Sequence, residues 1–318
     1  MSTPASTPTS PTPPPPAGDQ ARGPAATTST RAIRLRPRAT AALLLATVVG
    51  VAAFGWPLLA DAESAVAGLS DTPLLFGLLL LIVLAVVLSE IADGGIDAKA
   101  VAMLGVLTAV GAALRPLGTG IAGLEPVFFL LILAGRAMGP GFGFVLGSTT
   151  LFASALITGG VGPWLPFQML AAAWVGAGAG LLPRPRLRGW RELALLAAYG
   201  AVVGLLYGLA LNLSFWPFTL GGETALSYVA GDPVLDNLRR FIAFSLVTSM
   251  GFDLPRAVLT AVLVAVTGRP LLRALRRANR RAAFTAPVAF EPTVGQAEEA
   301  PPPAPSPGLD ATAPGRRG

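Results

Sequence analysis

The polar residues that could do chemistry in this chain lie mainly in two short inserts between apolar segments. The first insert runs from Arg115 to Glu125, and the second runs from Gly159 to Gln168 and contains Trp164. Charged side chains can bind charged groups, an indole can stack on a flat ring, and an amide can both donate and accept hydrogen bonds. Non-helical backbone at membrane depth must be buried in protein or line a cavity. The inserts therefore predict a small-molecule site.

These insert residues also have structural interpretations. Arg115 and Glu125 could contact a ligand, pair with each other, or anchor the ends of helices. Trp164 could equally belong to the belt of aromatic residues at a membrane interface. We keep these three residues and Gln168 as candidate ligand contacts.

Three further candidates lie near the same predicted end of the last two apolar segments. They are Asn212, Trp216 and Asp253. An asparagine inside an apolar helix costs free energy unless its amide is hydrogen-bonded, so we expect Asn212 to face protein or a cavity.

Composition excludes most catalytic chemistry. The 318 residues include no Cys and no His, which excludes thiolate nucleophiles, imidazole bases, disulfides and most zinc or haem sites. The sequence therefore predicts no catalytic residues, no metal site and no cofactor, and the protein is not predicted to be an enzyme. No nucleotide-binding G-x-x-x-x-G-K-[ST] motif occurs, so any ATP-driven role needs another subunit.

The elements that must position these residues are apolar helices. The chain is 53% hydrophobic and 13% charged, and runs of about 18 or more apolar residues are typical of transmembrane helices. We predict an all-α polytopic membrane protein with eight spans. The predicted spans are Ala39–Ala60, Pro73–Ser89, Ala98–Leu114, Pro126–Met138, Phe142–Thr158, Phe167–Leu182, Leu193–Leu213 and a last helix from about Asp253.

The start of the last helix follows from charge. Asp253 and Arg256 would lie in mid-bilayer if the helix began much earlier, at about 2.5–3.5 kcal/mol each. This choice leaves residues 214–252 as a long external segment. Arg136 is expected to extend its side chain toward the cytoplasm.

Arginine clusters predict the orientation of the chain. They precede the first span, occupy the loop between residues 183 and 191, and follow the last span. Basic loops remain cytoplasmic, so both termini should be cytoplasmic and both inserts external, in a multi-pass protein of the plasma membrane. Because these charges adjoin the spans, the net charge of +6 does not predict nucleic-acid binding.

The chain divides into four predicted regions. They are a disordered cytoplasmic tail over residues 1–37, two extra N-terminal transmembrane helices over 38–97, a six-helix substrate-binding core over 98–281, and a second disordered cytoplasmic tail over 282–318. Both tails are rich in Pro, Ala and small polar residues without apolar periodicity.

Small residues recur along one face of the third span. They are Ala98, Ala102, Gly105 and Ala109. Small faces let helices approach closely in lipid. The face could serve ordinary packing within the chain or docking on a partner membrane protein.

The six spans from Ala98 to Arg273 resemble the substrate-specific component of energy-coupling factor (ECF) transporters. The similar features are Ala98-Lys99-Ala100-Val101-Ala102, the lid-like loop Gly118–Glu125, the helix entered by Glu125-Pro126, the run Gly139-Pro140-Gly141-Phe142-Gly143, and Gly160-Val161-Gly162-Pro163-Trp164-Leu165-Pro166-Phe167. The cobalamin-type branch is the nearest match, although riboflavin or a deazapurine would suit the aromatic residues equally well. The helix pair over residues 39–89 departs from a minimal six-helix member.

The resemblance implies capture of a vitamin or related micronutrient on the external side, under a lid formed by the loops. It also implies a coupling (T) transmembrane subunit and a pair of ABC-type ATPases as partners within the lipid bilayer. By resemblance, Ala98 and Ala102 dock on the coupling subunit, with Gly105 and Ala109 extending that face. The alternatives are a non-catalytic membrane scaffold or assembly protein and an intramembrane lipid-modifying enzyme.

Overall fold

A computed structural model describes residues 35–59, 72–93, 98–118, 123–183, 189–219 and 224–282. The predicted tails lie almost wholly outside these residues, as do residues 119–122 of the lid-like loop and Arg184, Arg186 and Arg188. The described residues form helices and no strand, which confirms the all-α prediction.

Ten α-helices are numbered in chain order among the described residues. They are α1 (Pro37–Phe54), α2 (Trp56–Leu59), α3 (Thr72–Asp93), α4 (Ala98–Leu114), α5 (Val127–Met138), α6 (Pro140–Thr158), α7 (Leu165–Leu181), α8 (Trp190–Thr219), α9 (Val234–Phe244) and α10 (Met250–Ala282). A 3-10 turn, Arg115–Gly118, extends α4, and a π-helical segment, Ser245–Ser249, joins α9 to α10.

Six continuous helical stretches of the described chain are long and apolar enough to cross a membrane. The apolar helices α5 and α7 are shorter, with 12 and 17 residues. All eight predicted spans therefore correspond to apolar helices, and the polytopic architecture is confirmed.

Glycine allows the backbones of α5, α6 and α7 to touch. A methyl group at Gly135 or Gly143 would overlap the carbonyl oxygen of Gly176, and one at Gly147 would overlap that of Ala172. Lipid is as apolar as the side chains, so close van der Waals packing replaces the hydrophobic drive between helices. These three helices form the centre of the bundle.

The N-terminal helices lie on one side of this centre. Helix α1 packs against α3, and the pair contacts α7 and α8. Gly50 lies against the side chains of Leu170 and Trp174, and Gly77 lies against the backbone of Pro163.

The predicted start of the last helix is wrong. The final helical run begins at Val234 and continues through the π-helical segment to the end of α10, and α8 continues to Thr219 through Pro217. The expected external segment 214–252 is therefore much shorter. Asp253 and Arg256 are accommodated because they bind each other, so their charges are not exposed to lipid.

The Arg136 side chain has partners inside the protein. Its side chain is 3% exposed, and its Nε lies 2.8 Å from Oε1 of Glu192. It also donates hydrogen bonds to the carbonyl oxygens of Leu182 and Pro183. Arg276 approaches the same Glu192 oxygen at 2.6 Å. A buried carboxylate at the start of α8 therefore binds the arginine inside the protein.

Candidate functional site

Three charged side chains meet at the opposite end of the bundle, which we call the Glu125 end. The Arg256 Nε lies 2.6 Å from Oε2 of Glu125, and one terminal nitrogen of Arg256 lies 2.6 Å from Oδ1 of Asp253. The three side chains carry two negative charges and one positive charge. Sequence analysis selected Glu125 and Asp253, and the structure joins them through Arg256.

Backbone geometry brings Glu125 to α10. Gly123 has a left-handed φ of 71°, and a methyl group there would overlap the carbonyl oxygen of Phe252. Glycine meets both demands because it has no Cβ. The segment leading into α5 therefore lies directly on α10, one turn before Arg256.

Glycine also makes room for Asp253. Gly200, Gly204 and Gly208 of α8 face Thr260, Ala257 and Asp253 of α10 in turn. A methyl group at Gly208 would overlap the Asp253 carboxylate. The last step of this glycine ladder therefore holds a charged group where a larger residue would expel it.

Tyr207 completes the charged group from the inner side. Its ring is buried, and the Arg256 guanidinium lies 5.4 Å from the ring centroid. Phe128 packs edge-on against the same ring at 4.8 Å. A cation is attracted to the face of an aromatic ring, so Tyr207 fixes Arg256 from a third direction.

Arg115 and Gln168 form a second polar pair at this end. A terminal nitrogen of Arg115 donates to Oε1 of Gln168 at 2.8 Å. The pair joins the end of α4 to the beginning of α7. Arg115 and Glu125 thus bind other partners, and the interpretation in which they pair with each other does not describe the structure.

A cavity of about 360 Å³ opens between α8 and the final helical run. It is lined by Gly208, Leu211, Asn212, Phe244, Thr248, Ser249, Phe252, Asp253 and Arg256. Two aromatic rings, two hydroxyls, an amide and an ion pair thus face one space. The Asn212 amide has no hydrogen-bond partner within the described part of the chain, so it is available to a ligand.

The π-helical segment helps to form this cavity. Thr248 and Ser249 belong to it, and Phe244 immediately precedes it. Wider i→i+5 turns of this kind are frequent at functional sites. Sequence analysis assigned these residues to the external segment 214–252 and did not select them.

The two candidate tryptophans lie elsewhere. Trp164 is 44% exposed, and its indole donates to the carbonyl of Gly160 in its own turn. Trp216 is 1% exposed and packs in an aromatic cluster with Tyr228, Phe241 and Phe244. Trp216 contacts Phe244, which lines the cavity.

The predicted docking face remains open. Ala98, Ala102, Gly105 and Ala109 are exposed, and no atom lies within 4 Å of a methyl group placed at Gly105. Among the candidate spans of the described chain, α4 has the smallest buried share, 17%. The packing of α1 and α3 against α7 and α8 leaves this face uncovered by the described N-terminal helices.

Sequence reasoning missed Arg256 and Tyr207. The spacing of Asp253 and Arg256 by three residues places them on one helical face, and that signal was present. Tyr207 is a polar ring in an apolar span, and only its contacts distinguish it from ordinary packing.

The arrangement is suited to binding. The described residues hold no group of three or more His, Cys, Asp or Glu side chains that could bind a metal ion. The polar groups at the Glu125 end are fixed by one another and lie beside a cavity of the size in which small molecules bind.

Comparison with known proteins gives one family. The family model described as "ECF transporter, substrate-specific component" matches residues 99–267, which is more than half of the chain. No curated protein matches, and no solved structure matches.

Proposed function

The chain belongs to the family of substrate-specific components of ECF transporters, and from this membership we propose that it captures a vitamin or related micronutrient at the Glu125 end. As a member of that family it is a substrate-binding membrane subunit of a transporter. The proposal adds the location and the chemistry of the bound molecule.

The observation that carries the proposal is the cavity beside the Glu125–Arg256–Asp253 group. Phe244 and Phe252 offer faces for a ring. The Asn212 amide can both donate and accept hydrogen bonds. The side chains of the ion pair are buried, so their orientation is fixed before a ligand arrives, which lowers the cost of ordering them on binding.

The volume of the cavity limits the size of the ligand that it can hold. Small-molecule pockets occupy about 300–1,000 Å³, and a volume near 360 Å³ lies at the small end of that range. It supports a compound of two or three fused rings, such as a deazapurine or a flavin, over the much larger corrinoid of cobalamin.

The orientation follows from charge. The Arg136 end includes Arg191, Arg269, Arg273 and Arg277. Basic segments remain cytoplasmic, so we assign the Glu125 end to the external face of the plasma membrane and both termini to the cytoplasm. The segment before α5 would then act as part of a lid.

The exposed face of α4 supports docking on a coupling transmembrane subunit. Its small residues allow another helix to approach closely. We propose that this subunit connects the chain to a pair of ATPases, which supply the energy for uptake.

Native mass spectrometry of the detergent-purified protein tests ligand capture. We expect a small-molecule adduct on the unaltered chain, its loss in Asn212→Leu, and its retention in the control Val258→Leu, which alters an exposed position of α10. An unaltered chain that carries no adduct and binds none of a panel of vitamins in calorimetry would refute the proposal. Such a result would favour the scaffold alternative.

A further inference from the structure

Trp56 is one of the side chains through which the N-terminal helices contact the Glu125 end. The indole belongs to the four-residue helix α2 and is 3% exposed. Its Nε1 donates a hydrogen bond of 3.0 Å to the carbonyl oxygen of Ser214 in α8. This contact joins residues 158 positions apart.

The carbonyl that Trp56 binds lies next to a weak point of α8. Pro217 lies inside this helix and has no N–H, so the preceding turn lacks the hydrogen bond to the carbonyl of Leu213. The Trp56 ring also stacks on Phe218, with 5.8 Å between the ring centroids. Trp56 therefore supports α8 on both sides of the proline.

Trp56 is also the first ring of a series that leads to the cavity. Its centroid lies 6.2 Å from that of Tyr228, Tyr228 lies 5.6 Å from Trp216, and Trp216 lies 6.4 Å from Phe244. Phe244 lines the cavity. Aromatic pairs at such separations attract each other beyond the area they bury.

The segment carrying Tyr228 is held at other points as well. The Trp216 indole donates to the carbonyl of Leu226, and the Asn237 side chain exchanges two hydrogen bonds with the backbone of Val229. Residues 224–233 are therefore a fixed cover over the aromatic cluster. Trp56 provides the contact between this cover and the N-terminal helix pair.

We propose that Trp56 is a positioning residue for the cavity: it fastens the outer end of α8 and the cover segment, and it thereby limits how far the cavity wall at Phe244 can move outward. The extra helix pair then acts as a brace for the site. The consequence for ligand capture rests on the proposed function, whereas the effect on the cavity wall does not.

The absence of cysteine from the chain allows a direct test with one introduced thiol. Ser249 lines the cavity and is 8% exposed, so Ser249→Cys should react slowly with N-ethylmaleimide unless the cavity wall moves outward. The reaction rate then reports the fraction of molecules in which the wall has moved outward. Trp56→Ala should raise this rate about tenfold or more, because the ring contacts with Phe218 and Tyr228 are lost. Trp56→Phe keeps a ring and loses the N–H, and should raise it by about threefold.

Two controls separate local release from general loosening. Ser154 is buried in α6, which packs against α4, α5 and α7, so the labelling of Ser154→Cys should not change with Trp56→Ala. Tyr228→Phe removes a hydroxyl without a partner in the described residues and should leave Ser249→Cys labelling unchanged. Tyr228→Ala should reproduce the effect of Trp56→Ala on Ser249→Cys labelling. It replaces Trp56→Ala as the test of the proposal if Trp56→Ala does not fold.

An unchanged labelling rate at Ser249→Cys in both alanine variants would overturn the inference. An equal rise at Ser154→Cys would do the same, because it would mean that the whole bundle has loosened. The labelling requires no ligand. A failure here therefore leaves the proposed function standing, and a chain that binds no vitamin but labels as expected counts against the proposed function alone.

Discussion

Replacing Arg256 with methionine removes the cation that lies between Glu125 and Asp253. Methionine is similar in length and apolar, so the change mainly deletes charge and hydrogen-bond donors. Both carboxylate contacts are 2.6 Å long. The side chain of Asp253 is 4% exposed, whereas that of Glu125 is 27% exposed. The variant therefore leaves one deeply buried and one partly hydrated carboxylate without compensation.

The expected loss follows from these burials. Breaking a buried ion pair by removing one partner costs about 3–5 kcal/mol, while partly exposed pairs contribute about 1 kcal/mol or less. We expect Arg256→Met to lower the free energy of unfolding by about 3–5 kcal/mol, mostly through Asp253. The double variant Asp253→Asn/Arg256→Met should regain most of that loss, and Glu125→Gln/Arg256→Met should regain about 1 kcal/mol.

Equilibrium unfolding in mixed micelles, with double-variant cycles, measures these differences. Val258→Leu on the same helix serves as a control and should stay near the unaltered protein. A loss below about 1 kcal/mol for Arg256→Met would refute the reasoning. Equal rescue by Glu125→Gln and Asp253→Asn would refute the assignment of the cost to burial.

Four further variants separate packing, docking and charge. Gly208→Ala should lower the free energy of unfolding by about 1–3 kcal/mol, because its methyl group meets the Asp253 carboxylate. Gly105→Ala should raise the free energy of unfolding by up to about 1 kcal/mol. The reverse order of these two variants in the same unfolding assay would contradict the prediction. Leucine at both Ala102 and Gly105 should keep the fold and abolish co-purification with the coupling subunit, and unchanged co-purification would remove α4 as the docking face. Arg136→Lys should lower the free energy of unfolding by about 2 kcal/mol or more, since an ammonium group cannot reproduce the planar set of hydrogen bonds to one carboxylate and two carbonyls. A smaller loss would mean that the Arg136 end of the bundle tolerates any cation.

The helices were predictable because their signal is local. Spans α4, α5, α6 and α7 begin and end within about two residues of the predicted bounds, since apolar length and Gly or Pro breaks determine them. The start of the last helix was predicted wrongly because the prediction assigned to Asp253 and Arg256 the full free-energy cost of burying an unpaired charge. That cost is offset by the pairing of Arg256 with Asp253 on the same helical face, which their spacing indicates, and with Glu125 on another segment, which no local pattern reveals.

The candidate site was predictable in part, because some of its signal also lies in the local sequence. Polar residues at helix ends pointed to Glu125 and Asp253, which the structure brings to one charged group, and to Arg115 and Gln168, which it joins as a pair. Trp216 was selected for its type, but its neighbours determine that it packs inside an aromatic cluster.

The sequence by itself determined the class of the protein, its apolar helices and the small residues along one face of α4, because composition and spacing along one chain suffice for these. Only the tertiary structure decided which charges compensate each other, that Gly208 leaves room for the Asp253 carboxylate, and that Trp56 reaches α8. Each of these depends on groups far apart in sequence meeting within a few ångströms. The free energy of a buried charge or a close contact is set by its neighbours in space.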